Sequence, residues 1–212
     1  MPPRTKNSDS PLTQTERTNA SRSALIDATV TVLAAEGYKA ASMSRIQEIA
    51  GVSRGLIGYH FGSKLQLMEA VVEHVRDVYF DETGVGRTES ADTGLDRVRD
   101  HVSQYLTRLS TSPEPSKAML VLATESVNGP TELASALRSA FAAQKQMIAE
   151  FVREGIIDGS IRPDVSPDGT AAVVQGILRG VVLINIVDPE DIDLAETRST
   201  AIEMVNRQLA VS

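Results

Sequence analysis

Residues 42–64 read SMSRIQEIAGVSRGLIGYHFGSK, from Ser42 to Lys64, and this stretch decides the fold. It divides into two short helical segments around Gly51. Ser42 or Ser44 stands where the first would begin, and a serine hydroxyl there accepts from a free backbone N–H of the first turn. That helix is predicted to run through Ala50, with Ile46 and Ile49 on one face. Gly51 suits the left-handed backbone of a tight turn. Ser53 is placed to cap the next short helix, which should stop near Gly62, with Val52, Leu56 or Ile57, and Phe61 packing beneath it. Two short helices so spaced form a helix-turn-helix, whose second helix enters the DNA major groove by its N-terminal end. That end also attracts phosphate.

Working toward the N-terminus, Thr13 and Glu16 have capping-box spacing and open a helix. Leu25, Thr29, Val32 and Leu33 recur at three and four, marking its buried face. Gly37 is read as the left-handed residue that ends it. Residues 1–12 are polar with three prolines and are expected to be a disordered arm. Arg4 and Lys6 within it are read as a solvated tail, with insertion into a minor groove as the less favoured alternative.

Toward the C-terminus the helical period continues. Ser63 and Gln66 form a second capping box, opening a helix toward Asp81. Residues 82–94, ETGVGRTESADTG, make a linker. Further helices are expected over about 94–109, from the SPEP of residues 112–115 to Asn128, from Pro130 to about 157, over 166–187 and over about 193–210. The punctuation is Asn128-Gly129-Pro130, Ser166-Pro167 and Asp188-Pro189. No run of alternating β-branched residues points to a sheet. The expectation is an all-α chain of about nine helices, with a disordered arm over 1–12, a helix-turn-helix unit over 13–64 and a larger helical unit over 65–212.

The composition fits a soluble globular protein, at 42% hydrophobic and 23% charged residues. The absence of cysteine excludes disulfides and thiolate metal sites and fits a reducing cytoplasm. The opening MPPRTKNSDS lacks an apolar segment, so no secretory signal is expected. The apolar stretch 171–187 is broken by Gln175, Arg179 and Asn185 and is not read as a membrane span. Net charge is −7, yet residues 1–64 hold eight Lys/Arg against five Asp/Glu. A mildly basic head on an acidic body would meet DNA by the head.

Helix-turn-helix spacing, GVSRG and YHFGSK, preceded by an amphipathic helix ending in AAEGY, resembles the DNA-binding domain of the TetR family over roughly residues 20–72. The resemblance implies that Ser42, Ser53, Arg54, Gly55, Leu56, Tyr59, His60 and Lys64 face double-stranded DNA. Tyr59, His60 and Lys64 would mainly hold phosphates, while Arg54, Gly55 and Leu56 read bases. Arg54 could take a guanine edge by a bidentate contact. Three residues depart from the family pattern. Gly58 precedes Tyr59 where a second tyrosine is frequent, Leu56 replaces a small polar residue, and Gln47 stands where alanine is usual.

The helix over 166–187 is apolar nearly all round and must be covered on most sides. Gly176 and Gly180, four apart, permit close helix approach. The resemblance implies a homodimer through the last two long helices, hence a pseudo-palindromic operator. It also implies a small-molecule effector site among the helices of 94–187. Candidate lining residues are Tyr105, Met119, Leu122, Phe141, Met147, Phe151 and Gln175, an apolar set that favours a hydrophobic ligand. No cofactor or metal is expected.

Glu69, Glu73, Asp77 and Asp81 recur every four residues, a repulsive spacing on a helix. Arg76, Arg97 and Arg99 are candidates to compensate. The stripe is read as solvated, with a cation or partner site beside His74 as the alternative. Catalytic motifs are lacking: no HExxH, GxSxG, phosphate loop or cysteine nucleophile. The rival readings are a helical protein-interaction adaptor, an activator without a small-molecule ligand, and an enzyme using an unrecognised Ser–His pair.

Overall fold

The computed structural model describes residues 13–53, 55–80 and 92–211, and among these the chain forms nine helices. The arm over 1–12, Arg54 (expected to read bases), Asp81 and most of the linker lie outside the described residues.

α1 (Gln14–Ala40) opens on the expected capping box: the Thr13 side chain accepts from the Glu16 N–H, and Glu16 accepts from the Thr13 N–H. Leu25, Thr29, Val32 and Leu33 are all buried. Gly37 does not end α1 in a left-handed turn as expected. It takes φ 82°, ψ 177°, a conformation open essentially to glycine, and kinks the helix before its last residues.

α2 (Met43–Ala50) is capped by Ser42, whose side chain accepts from the Arg45 N–H, and it closes on Gly51 in the left-handed region. Arg45 then bridges Glu36 of α1 and Glu48, fixing α2 on α1. α3 (Leu56–Phe61) corrects one expectation. Gly55, at φ 97°, sits at its cap with no side-chain bond, so Ser53 is not the cap; only its carbonyl takes part, accepting from the Leu56 N–H. Ile49 is a second correction, since it is 43% exposed while Ile46 is fully buried. α4 (Lys64–Phe80) follows Ser63, whose hydroxyl accepts from the Gln66 N–H.

α5 (Gly94–Thr111) crosses the end of α7 (Thr131–Asp158) closely. A Cβ on Gly94 would lie 2.1 Å from the Gly155 nitrogen, so only glycine fits there. Asp158 and Ser160 accept from the Gly94 and Leu95 N–H groups, satisfying donors that the start of α5 leaves free. α6 (Glu114–Ser126) lies between α5 and α7 in sequence and packs on α1. α8 (Pro167–Val187) begins at the Ser166 cap, with Pro167 at the first helical position, and α9 (Leu194–Leu209) at the Asp193 cap.

Two apolar cores result. One joins Leu25, Ile26, Leu33, Ile46, Ile57 and Leu67 to Leu122 of α6 and Leu133 and Leu137 of α7. The other joins α5, α7, α8 and α9 through Val98, Leu106, Ile148, Val152, Leu178 and Leu209. Each such side chain stabilises the fold by about 1.5–3 kcal/mol relative to exposure. The first core runs beneath the head and into the body, which joins the head to α6 through α1 and to α7 through α4.

The compensation expected along α4 is only partly realised. Arg76 bonds Asp77, but Arg97 pairs with Glu154 of α7 and Arg99 with Asp96 of its own helix. Arg99 turns to a carboxylate one turn away on α5 and Arg97 to one on the packed α7, so neither of these pairs falls on the acidic stripe. His74 faces Asp27 of α1 at 3.8 Å.

Candidate functional site

Leu25, Ile46, Ile57 and Phe61 hold α1, α2 and α3 together from beneath. The outward side chains are thereby set on a buried base. Ser42, Ser53 and Gly55 are exposed, and Tyr59 is 75% exposed, a large aromatic left outside the core. Leu56 is half-buried against the core, so only part of it is free to face outward. His60 shares a 2.8 Å hydrogen bond with Ser21 of α1. Burial, and secondly the Arg22 charge, hold its imidazole below the ordinary histidine value. Arg22 in turn lies over the Phe61 ring.

Lys64 begins α4. Its ammonium donates to the Tyr38 carbonyl at 3.0 Å and sits 4.1 Å from the centre of the Tyr38 ring. Burial pulls its pKa down, while Glu125 of α6 opposes the shift. The lysine thus ties α4 to the end of α1. An ammonium has three donors, so further bonds remain open to it.

A second site lies in the body. Val75 of α4, Tyr105 of α5, Met119 and Leu120 of α6, Phe141 and Gln144 of α7, and Arg179 and Val182 of α8 enclose a cavity of about 50 Å³. Of the expected residues the structure brings Tyr105, Met119 and Phe141 to its wall. Gln175 stands behind, its amide donating to the Phe141 carbonyl and to Gln144, both at 2.9 Å. Leu122 is sealed in the core under the head, and Met147 and Phe151 belong to the other core. Sequence reasoning missed Arg179 and Gln144. Arg179 was visible only as an interruption of an apolar helix. Its position one turn beyond Gln175, on the same face, was the available signal.

α8 carries the third feature. Ala171, Val174, Leu178, Val181 and Val182 are buried, while Val173, Ile177, Leu183, Ile184 and Val187 are exposed. By length and a mean hydropathy of 1.8, α8 is apolar enough to cross a membrane, yet one face belongs to the helical core. The exposed face continues across Met204 of α9 into an open groove of about 590 Å³. Cβ atoms on Gly176 or Gly180 would meet nothing within 4 Å, so these glycines serve no close approach inside the chain.

Comparison with known proteins agrees with this architecture. The family described as "Bacterial regulatory proteins, tetR family" matches residues 25–71, and "Tetracyclin repressor-like, C-terminal domain" matches residues 94–200. The chain is 26% identical over 192 residues to the HTH-type transcriptional regulator BetI of Vibrio atlanticus, covering 87% of this chain and 90% of that one. It is 25% identical over 181 residues to the regulator UidR of Escherichia coli K12, covering 85% and 87%. A TetR-family regulator from Rhodococcus superposes with a TM-score of 0.80 at 23% identity, over 91% of this chain and all of that one. A transcriptional regulator from Saccharomonospora viridis, solved with choline, superposes at 0.79 with 19% identity, over 92% of this chain and all of the other.

A chain whose described residues form nine helices with a helix-turn-helix toward the N-terminus, matched by family models over both parts, is a DNA-binding transcriptional regulator. It belongs to the TetR family.

Proposed function

We propose that the chain is a cytoplasmic, ligand-responsive repressor that binds a pseudo-palindromic operator as a homodimer and leaves it when a small apolar molecule enters the body. Residues 13–64 then form the DNA-binding unit and residues 65–212 the effector and dimerisation unit. The observation that carries this reading is the shared wall of the cavity. α4 and α6 both line it; α4 also packs on α1 and α3, and α6 packs on α1, the helix on which α2 and α3 are held. A guest that displaces Val75 or Met119 pushes on the elements that set the head's position. Ligand binding and DNA binding are then coupled through one packed core.

The exposed α8–α9 face supports the homodimer. Its apolar residues and the free Gly176 and Gly180 suit a second copy related by a two-fold axis. On DNA, Tyr59, His60 and Lys64 hold phosphates, with Lys64 aided by the start of α4. Ser42 and Ser53 contact the backbone, and Arg54, Gly55 and Leu56 face base edges. The choline in the Saccharomonospora viridis protein shows that a relative of this fold accepts a small organic molecule. In the present cavity a quaternary ammonium would meet the like charge of Arg179, so a different ligand class is expected here.

Two variants test the head. Tyr59→Ala should weaken binding to every duplex alike. Lys64→Ala should do the same and lower the slope of log affinity against log salt by about one for each phosphate that its ammonium neutralises. Fluorescence anisotropy over a salt series reads both. An unchanged slope for Lys64→Ala would confine that lysine to its bond with Tyr38.

A further inference from the structure

We propose that the cavity enclosed by α5, α6, α7 and α8 takes an organic monoanion, a single carboxylate on a compact apolar body, and that Arg179 binds the carboxylate. The proposal rests on the cavity being the effector site and narrows the ligand from an apolar molecule to one whose apolar body carries a single carboxylate.

Arg179 is the charged residue among those lining the cavity. Its guanidinium stacks on Phe141, 3.8 Å from the ring centre, and gives one hydrogen bond of 3.1 Å to the side-chain oxygen of Gln144. That oxygen is neutral and already accepts from Gln175. Among the described residues no aspartate or glutamate forms an ion pair with Arg179. A guanidinium carries five donors, so most of its capacity is unused by these partners. Burial lowers its pKa from the ordinary arginine value, with Tyr105 opposing.

A cation drawn partly from water without a counter-ion is a standing cost, which an incoming anion relieves. The planar fork matches a carboxylate in bidentate geometry. Apart from the neutral polar groups of Tyr105, Ser116 and Gln144, the rest of the wall is apolar, with Val75, Met119, Leu120, Ala140 and Val182, and it holds no second cation to pair with a second negative charge. The ligand is therefore a monoanion with an apolar remainder. The space is about 50 Å³, whereas sites for whole organic ligands run to roughly 300–1,000 Å³. Admitting the ligand must swing the guanidinium off Phe141 and break its bond to Gln144. Those contacts join α8 to α7, so the same movement that admits the carboxylate loosens the packing of the body.

The test pairs each of benzoate, phenylacetate and octanoate with its own neutral amide and measures binding to the full-length protein by calorimetry. At least one carboxylate should bind, more tightly than its amide by about tenfold or more, as charge-assisted bonds require. Arg179→Met, which keeps an unbranched apolar side chain but no charge, should erase the difference, and Arg179→Lys should restore part of it. Equal binding of acid and amide, an undiminished preference in Arg179→Met, or no carboxylate binding at all would each overturn the proposal. A DNA-release assay separates it from the reading beneath it. Carboxylates that bind through Arg179 but leave the DNA complex intact would uphold the anion site and sink the effector role. Release by neutral or cationic compounds, with no carboxylate bound, would do the reverse.

Discussion

The double variant Val173→Glu, Ile177→Glu should be folded, monomeric and almost without operator affinity. Both side chains are exposed in the isolated chain, at 62% and 39%, so glutamate there disturbs no packing within it. In a dimer through α8 and α9 the same positions become the buried centre. Four carboxylates brought together there, two from each copy, could not be hydrated or paired. Loss of the dimer uncouples the two half-sites. The second head then binds from bulk solution rather than at a high effective concentration, and apparent affinity falls by about 10²–10⁴. Sedimentation would show the change of mass, circular dichroism the retained helix, and anisotropy the weakened binding. Val127→Glu, still more exposed on the single chain at 77% but at the end of α6, should behave as wild type. A double variant that stays dimeric would move the interface off α8 and α9.

The second large effect is a pH dependence of stability set by His101. This residue is fully buried within α5. Burial, followed by the charge of Arg108, pushes its pKa down to about 4. In the unfolded chain it returns to about 6.5. The folded state therefore resists protonation that the unfolded state accepts. The contribution to stability is complete above about pH 6.5 and is lost as pH falls toward 4. The gap between the two values, at about 1.4 kcal/mol per pH unit, comes to about 3 kcal/mol in full. Urea unfolding of wild type at pH 7.5 and at pH 5 should show a drop of about 2 kcal/mol from this residue. Carboxylates contribute little in that window and His60, also held below the ordinary value by burial, adds a share of its own, so His101→Leu, if folded, should shrink the drop by about 2 kcal/mol and leave the rest. An unaltered pH dependence in His101→Leu would assign it to other groups.

Much of this molecule is legible in its sequence for local reasons. The capping box at Thr13, the turn at Gly51 and the Ser166-Pro167 start are chemistry of a few adjacent residues, and each appears where expected. At Ser63 only half of the expected box forms: its hydroxyl accepts from the Gln66 N–H, but its own N–H donates to the Phe61 carbonyl and not to Gln66. What required tertiary contact was read less well. Ser53 resembles a cap, but Gly55 takes the positive φ that starts α3, and the cap carries no side-chain hydrogen bond. Arg97 and Arg99 resemble partners for the α4 stripe, but a carboxylate on α7 and another on α5 are nearer. Leu122 and Phe151 carry the same apolar signature as Met119 and Phe141. Only the packing of α6 and α7 decides which pair reaches a core and which reaches the cavity. Arg179 marks the limit most clearly, since an arginine in an apolar helix says that something is unusual without saying which neighbour it meets.

Specific DNA binding by the helix-turn-helix is central to all of this. Its most direct test is fluorescence anisotropy of the purified protein on DNA from upstream of its own gene and on a random duplex of equal length, each at two salt concentrations. Tight binding to the upstream DNA is predicted, preferred over the random duplex and weakened by salt. Equal binding to both duplexes would contradict a local operator, and no salt-sensitive binding to either would contradict the DNA-binding head itself.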